Sequence, residues 1–233
     1  MIVIKKREQK SEEPQSPGRR VALTALGLLG VSVAARSMKL AQPGKAKSSD
    51  KGIAPPGAVS VENLKDKCTS CNECISSCPN GIIKPALLQY GADGIMLPVL
   101  SYENHFCAYD CTVCSSVCPT GALSPLTVDA KRLTQIGTVN FVLEDCIVYK
   151  DGTDCGACDE HCPTKAIKMV PYEGNGLMIP STNKDICIGC GGCEYICPAK
   201  PKAMIVSAKS IQGKAQKPSQ EEQKKVKVDE FGF

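Results

Sequence analysis

The amino-acid sequence predicts an α+β fold assembled from small repeated units of strand, loop and short helix. Its 233 residues include sixteen cysteines in four groups of four, and a proline follows the last cysteine of every group. Short apolar runs precede three of the groups, and an apolar pair follows each proline. The chain has no Trp, four Phe and six Tyr. Because so few large aromatic residues are available to fill a core, we expect cofactors to fill part of the interior.

The spacing of the cysteines predicts the cofactor. The first and fourth groups follow C-x2-C-x2-C-x3-C-P, the run that binds 4Fe-4S clusters in bacterial ferredoxins, where the fourth cysteine ligates the other cluster of a pair. We therefore predict four 4Fe-4S clusters in two bacterial-type 2x(4Fe-4S) ferredoxin-like modules packed together. The sixteen predicted iron ligands form four quartets: Cys68, Cys71, Cys74 and Cys78; Cys107, Cys111, Cys114 and Cys118; Cys146, Cys155, Cys158 and Cys162; Cys187, Cys190, Cys193 and Cys197.

Two other uses of cysteine compete with this interpretation. An even cysteine count also suits a disulfide framework, and C-x2-C pairs often bind zinc. We disfavour both, because three close cysteines plus a fourth recur four times with proline at the same offset, whereas tetrahedral zinc sites usually take two separated pairs. The third quartet departs from the pattern, since eight residues separate Cys146 from Cys155. Cys146 as a free thiol would leave the clusters one ligand short.

The secondary structure is predicted around these quartets. Strand signals run from Ile95 to Leu100, from Thr138 to Leu143 and from Leu177 to Ile179, each followed by turn residues and then cysteine. The apolar pairs after the prolines predict a short helix leading into a strand, with the pair buried over the cluster. These pairs are Ile82-Ile83, Ala122-Leu123, Ala166-Ile167 and Ala203-Met204.

The N-terminal sequence predicts export. Arg19-Arg20 precedes an uncharged stretch from Val21 to Ala35, which is the plan of a twin-arginine-type signal or, if it is not cleaved, a signal anchor. We predict four regions: this signal in 1–35, a flexible linker in 36–60, a four-cluster ferredoxin-like region in 61–208 and a charged mobile tail in 209–233. A twin-arginine signal implies recognition by the twin-arginine export machinery, which delivers folded protein to the periplasm.

The charge of the chain does not predict a nucleic-acid partner. The formal net charge is +4, but much of the excess lies in the predicted signal, and clusters with four thiolates add negative charge. With its clusters bound, the part of the chain that follows the predicted signal is therefore expected to carry a net negative charge.

The spacing leaves the pairing of the quartets open. In a tandem arrangement the first quartet pairs with the second and the third with the fourth. In a nested arrangement the first pairs with the fourth and the second with the third. The intervals between quartets are nearly equal and do not decide, while the undeviating spacing of the two outer quartets favours the nested form.

Several motifs together resemble a known family. C-x3-C opens the second quartet at Cys107 and Cys111, Cys118-Pro119-Thr120-Gly121-Ala122-Leu123 closes it, and a long first gap opens the third quartet. With a twin-arginine leader, this order resembles the exported polyferredoxins of the NapG/MauM type, over residues 19–207. These proteins are related to the four-cluster beta subunits of molybdopterin oxidoreductases, so the resemblance implies nested pairing.

The resemblance also implies a function. It predicts a periplasmic protein that relays electrons from a membrane quinol dehydrogenase, or another membrane ferredoxin-type subunit, to a periplasmic oxidoreductase, with no catalytic residue or substrate site of its own. The alternative is an accessory protein that supports maturation of a cofactor-containing periplasmic enzyme. We favour electron transfer because four clusters make a path, whereas a scaffold needs only one.

A few residues near the quartets have open roles. His105 and His161 lie beside cysteines, but we expect them to be loop residues rather than ligands. Packing is the expected role of Tyr109 and Tyr195. An acidic loop in the third quartet is either a docking surface for a basic partner or a solvated loop; its members are Asp151, Asp154, Asp159 and Glu160.

Overall fold

A computed structural model describes residues 52–173 and 176–217 of the chain. The predicted signal in 1–35 lies outside the described residues, as do residues 36–51 of the predicted linker and 218–233 of the predicted tail. Among the residues that are described, no helix combines the length and apolar character needed to cross a membrane.

The first half of the described chain contains the first two quartets. Helix α1 begins after Ser60, whose side-chain oxygen accepts a hydrogen bond from the backbone N–H of Asn63 at 3.0 Å, an N-cap that satisfies a free donor of the first turn. Strands β1 and β2 form an antiparallel hairpin in which Ile83 pairs with Leu100. The elements are α1 Val61–Lys67, α2 Glu73–Ser76, β1 Ile83–Pro85, a 3-10 turn Ala92–Gly94, β2 Pro98–Leu100, α3 Val113–Ser116 and α4 Val128–Leu133.

The second half contains the last two quartets and two further antiparallel pairs. Strand β4 pairs with β5 as a hairpin between the third and fourth quartets, and β3 pairs with β6 across the whole half. The elements are β3 Thr134–Phe141, a 3-10 turn Leu143–Asp145, α5 Ile147–Lys150, α6 Ala157–Glu160, β4 Ile167–Pro171, β5 Met178–Thr182, α7 Gly192–Ile196 and β6 Met204–Lys214.

The short helices lie inside the quartets, whereas the sequence predicts them after the prolines. Helices α2, α3, α6 and α7 each carry the third cysteine of a quartet and end just before the fourth. The residue before a proline is disfavoured in the helical region, so a helix that approaches the C-P pair must end there. The predicted position of the helices was therefore wrong, although their association with the quartets was right.

The apolar pairs after the prolines are buried as predicted. Every one of their eight side chains is buried, and three of the pairs lead directly into a strand. They contribute to two hydrophobic cores. The first core is built mainly from residues 53–123, and the second from residues 139–204. The described chain thus has two modules, each with its own core.

The predicted region boundaries at 60 and 209 were wrong. Ile53, Ala54 and Ala58 are buried in the first core, so residues 52–60 are not part of a linker. Residues 209–214 belong to β6 and not to a tail. Here the Gln212 side chain donates to the carbonyl of Pro55 at 2.7 Å, and Ser60 forms a β-bridge with Ile211. The end of β6 therefore ties the second module to the first.

Candidate metal centres

The structure gathers the sixteen cysteines into four sets of four. Each set is named here after the quartet that supplies three of its members. The first site contains Cys68, Cys71 and Cys74 with Cys118 as its fourth member, and these line one cavity. Burial raises the pKa of the Cys74 thiol to about 11, and the nearby thiols of Cys68 and Cys118 contribute to the rise.

The second site exchanges its last cysteine with the first. It contains Cys107, Cys111 and Cys114 from the second quartet and Cys78 from the first. Burial raises the pKa of Cys107; the Lys131 ammonium opposes this rise, while the thiols of Cys111 and Cys78 add to it. Helices α2 and α3 pack against each other and bring the first and second sites together.

The same exchange occurs in the second module. The third site contains Cys146, Cys155 and Cys158 with Cys197, around one cavity. The fourth site contains the first three cysteines of the fourth quartet together with Cys162, around one cavity. Helices α6 and α7 pack together in the way that α2 and α3 do.

This arrangement is tandem, so the preference for nested pairing was wrong. The hairpin β1–β2 lies between the first and second quartets, and β4–β5 lies between the third and fourth. Each hairpin folds one quartet back onto the next. The two cores follow the same division of the chain. Pairing between sequence neighbours also closes shorter loops than nested pairing, which costs less entropy.

The backbone around the sites directs N–H groups at sulfur. The N–H of Ala166 donates to Cys162 Sγ at 3.2 Å, and the N–H of Leu123 donates to Cys118 Sγ at 3.4 Å. In both modules the threonine two residues after the cysteine places its hydroxyl near the same sulfur. Burial works to raise the pKa of Cys118, but the hydrogen bonds from Leu123 and Thr120 outweigh it and lower the pKa. Such bonds stabilise the thiolate that a metal requires.

The four sets fit 4Fe-4S clusters. All sixteen donors are cysteine thiols, the usual ligands of these clusters. Among residues 52–173 and 176–217, no three His, Cys, Asp or Glu side chains lie close enough together to hold one metal ion. Four thiols spread around one cavity suit a cofactor wider than a single ion. The donor set therefore fits cubane clusters better than zinc.

Exposure differs among the sites. Cys71 of the first site is exposed, and Cys155 of the third site is half-buried, whereas all four cysteines of the fourth site are buried. Solvent exposure is one of the factors that set the potential of a cluster. The fourth site is thus an internal position, and the first site lies closest to solvent.

Sequence reasoning missed Lys131, a buried lysine beside the second site. Its side chain is almost fully buried in α4, and its Nζ donates to the carbonyl of Ala108 at 3.2 Å. Lysine is rarely buried without a partner. No local pattern in Val128–Leu133 marks this lysine, because its burial depends on the fold of the loop that begins at Cys107.

The residues with open roles are packed near the sites. The His105 ring stacks on the Tyr195 ring with centroids 5.4 Å apart, and Arg132 lies over the Tyr109 ring at 5.4 Å. The ring nitrogen Nδ1 of His161 lies 3.1 Å from the carbonyl oxygen of Ala157. In the acidic loop three of the four carboxylate residues are exposed and Asp159 is half-buried, so the loop forms part of the surface around the third site.

Comparison with known proteins agrees with these sites. Residues 153–200 match the family described as 4Fe-4S dicluster domain, and residues 64–84 match the family described as 4Fe-4S binding domain. The dicluster match spans the last two quartets apart from Cys146. Fold and sites together define a ferredoxin-type iron-sulfur protein with two ferredoxin-type domains.

Relatives across most of the chain identify the family. Ferredoxin-type protein NapF of Escherichia coli (strain K12) is 30% identical over 155 residues, covering 66% of this chain and 85% of that protein. Methylamine utilization ferredoxin-type protein MauM of Methylobacillus flagellatus is 30% identical over 200 residues, covering 83% and 81%. Ferredoxin-type protein NapG of Escherichia coli (strain K12) is 29% identical over 222 residues, covering 87% and 90%. The chain belongs to this family of ferredoxin-type proteins.

Proposed function

We propose that this protein is an electron carrier that relays electrons through four 4Fe-4S clusters and has no substrate site of its own. The observation that carries the proposal is the grouping of all sixteen cysteines into four tetrads within two modules. A bound cluster takes up and releases one electron without making or breaking a bond to a substrate. A series of such sites makes a conducting path, which a protein with a purely structural cluster does not need.

The chain's own residues prepare the sites for this role. Cysteine thiolates would hold the iron, and backbone N–H groups such as that of Ala166 donate to the sulfur atoms. The buried apolar pairs after the prolines exclude water from the sites. Because hydrogen bonds, nearby charge and solvent exposure set the potential of a cluster, the four sites are expected to differ in potential.

We further propose that the protein works in the periplasm and accepts electrons from a membrane quinol dehydrogenase or another membrane ferredoxin-type subunit. Its electron acceptor would be a periplasmic oxidoreductase. Support comes from Arg19-Arg20 and the uncharged stretch Val21 to Ala35, and from the acidic surface at the third site, which suits a partner with a basic surface.

Metal content tests the proposed carrier. Anaerobically purified protein is expected to contain about sixteen iron atoms and as many acid-labile sulfides per chain. Its dithionite-reduced form should show electron paramagnetic resonance signals of interacting cubane clusters, and a quinol-linked donor should reduce it. Zinc or oxidised thiols in place of iron would contradict the proposal. Clusters that no physiological donor reduces, together with a partner enzyme that lacks its cofactor in a deletion strain, would favour the maturation role.

Fractionation of cells tests the proposed location. Replacing Arg19-Arg20 by a pair of lysines should leave the cluster-loaded protein in the cytoplasm, because the twin-arginine machinery recognises the arginine pair. The matched control is the replacement of Lys5-Lys6 by a pair of arginines, which alters basic residues well before the apolar stretch. Unchanged export of the R19K/R20K variant is the result that argues against this route.

A further inference from the structure

The second and fourth sites adjoin across the boundary between the modules. The backbone N–H of Cys107, a member of the second site, donates to the carbonyl of Cys190, a member of the fourth, at 2.9 Å. Cys190 also belongs to the first hydrophobic core, although its quartet belongs to the second module. At these two cysteines, ligands from different modules are joined directly by a hydrogen bond.

Tyr102 occupies the same junction. The residue is 5% exposed, and its hydroxyl donates to the carbonyl of Gly189 at 2.7 Å, next to Cys190. Its ring fills the space above Gly191, where a Cβ would overlap the ring. Tyr102 lies in the loop between β2 and Cys107. It therefore connects the segment that leads into the second site with the loop that carries the cysteines of the fourth site.

The other neighbouring sites meet through the helices within each module. In the first module, helix α2, which carries Cys74, packs against helix α3, which carries Cys114. In the second module, helix α6, which carries Cys158, packs in the same way against helix α7, which carries Cys193. The four sites therefore stand in one series in space: first, second, fourth, third.

We propose that the modules exchange electrons across the Cys107–Cys190 junction, and that Tyr102 is the positioning residue that holds this junction together. The proposal rests on the proposed electron-carrier function and adds the order of the path. In each step one site gives up one electron and its neighbour takes up one electron, with no proton or bond transferred. The two ends of the series are the first site, with exposed Cys71, and the third site, with half-buried Cys155 and the acidic loop.

A protein that keeps only the two inner clusters tests the order. The double variant Cys71→Ala/Cys155→Ala removes one ligand from each end site. In both cases the ligand removed is the least buried cysteine of its site. It is expected to hold about eight iron atoms, and the reduced protein should show the electron paramagnetic resonance spectrum of two clusters that interact magnetically. Two sharp, independent spectra from clusters at the second and fourth sites would overturn the proposal, while the electron-carrier function would stand.

The positioning role is tested in the full-length holoprotein with a matched control. Tyr102→Ala should keep about sixteen iron atoms but lose much of the magnetic interaction between the modules, and Tyr102→Phe, which keeps the ring, should restore most of it. The control is Tyr90→Ala. Tyr90 is also buried and donates to the carbonyl of Pro98 at 3.1 Å within the first module, so its loss should leave the interaction unchanged.

Two results would overturn the positioning role. One is a wild-type interaction spectrum in Tyr102→Ala with all clusters bound. The other is an equal loss of iron from Tyr102→Ala and Tyr90→Ala, which would make Tyr102 an ordinary core residue. A wild-type chain that binds no clusters at all would instead refute the electron-carrier function together with the junction.

Discussion

At the scale of single residues, the sites combine buried thiols with a few groups that stabilise negative charge. Burial raises the pKa of Cys107, and Lys131 opposes that rise more strongly than any other group near it. At Cys118, hydrogen bonds from the N–H of Leu123 and from Thr120 lower the pKa of the thiol without a charged group. The second site therefore relies on a lysine from α4, whereas Cys118 in the first site relies on the N–H groups of its own loop.

Replacing Lys131 by Met should lower the reduction potential of the cluster at the second site. Reduction adds an electron, and a buried positive charge stabilises the reduced form. We expect a shift on the order of 50 mV, which corresponds to about 1.2 kcal/mol for one electron. The measurement is a redox titration followed by electron paramagnetic resonance. Lys84→Met removes the same charge from an exposed position in β1 and should shift no potential; equal shifts in both variants would contradict the assigned role.

The exchange of the last cysteines can be tested by pairs of substitutions. Cys71→Ala and Cys118→Ala affect the same site, so the double variant should lose no more iron than either single variant, about four atoms. Cys111→Ala affects the second site, and combining it with Cys118→Ala should lose about eight. If iron losses instead add for Cys71 with Cys118 but not for Cys111 with Cys118, each quartet binds its own cluster and the exchange is wrong.

At the scale of secondary-structure elements, strands bring quartets together and glycines allow close approach. The fourth-site loop packs against β3, where a Cβ on Gly189 would lie 2.5 Å from the backbone nitrogen of Gly137. Gln135 fixes the same loop, since its side chain donates to the carbonyls of Lys184 and Cys187. The strand β3 thus supports the fourth site even though it comes before the third quartet in the sequence.

Gly189→Ala should destabilise the protein more than Gly152→Ala. Both glycines have positive φ, +74° and +62°, which costs an alanine about 1 kcal/mol in each case. Only Gly189 has backbone within reach, whereas Gly152 has nothing within 4 Å. We expect the overlap to add about 1–3 kcal/mol, measured by denaturant unfolding of the holoprotein under anaerobic conditions. Similar free energies of unfolding for the two variants would contradict the close packing of β3 on this loop.

At the scale of the whole molecule, the cluster sites form much of the interior. Ten of the sixteen cysteines are buried, and the cavities they line adjoin both hydrophobic cores. Because metal binding contributes directly to the stability of small metal-containing domains, the fold and the loading of its clusters are expected to be coupled.

Assembly of the clusters should depend on pH. Burial raises the pKa of Cys74 from its ordinary value of 9.0 to about 11, and those of Cys114, Cys158 and Cys190 to about 12. At neutral pH these thiols hold protons that must leave before they bind iron, so low pH opposes assembly and high pH favours it. Chemical reconstitution of iron-depleted protein between about pH 6.5 and 8.5, in half-unit steps, should give an iron content that rises with pH. A yield independent of pH would contradict the raised pKa values.

The sequence by itself determined the cofactor chemistry, because three cysteines two or three residues apart can reach one cluster without help from distant parts of the chain. It also determined that the apolar pairs such as Ile82-Ile83 are buried, since the proline before each pair ends one local unit. Even at Cys146, where the spacing is irregular, the predicted grouping with Cys155 and Cys158 agrees with the structure.

Only the tertiary structure decided which quartets exchange their last cysteine. That choice depends on how the hairpins β1–β2 and β4–β5 pack, and nearly equal intervals along the chain carry no information about it. The same holds for the burial of Lys131 and for the contact between Tyr102 and the loop of Gly189. These contacts join residues far apart in sequence, and the free energy of tertiary packing, which no local pattern encodes, selects them.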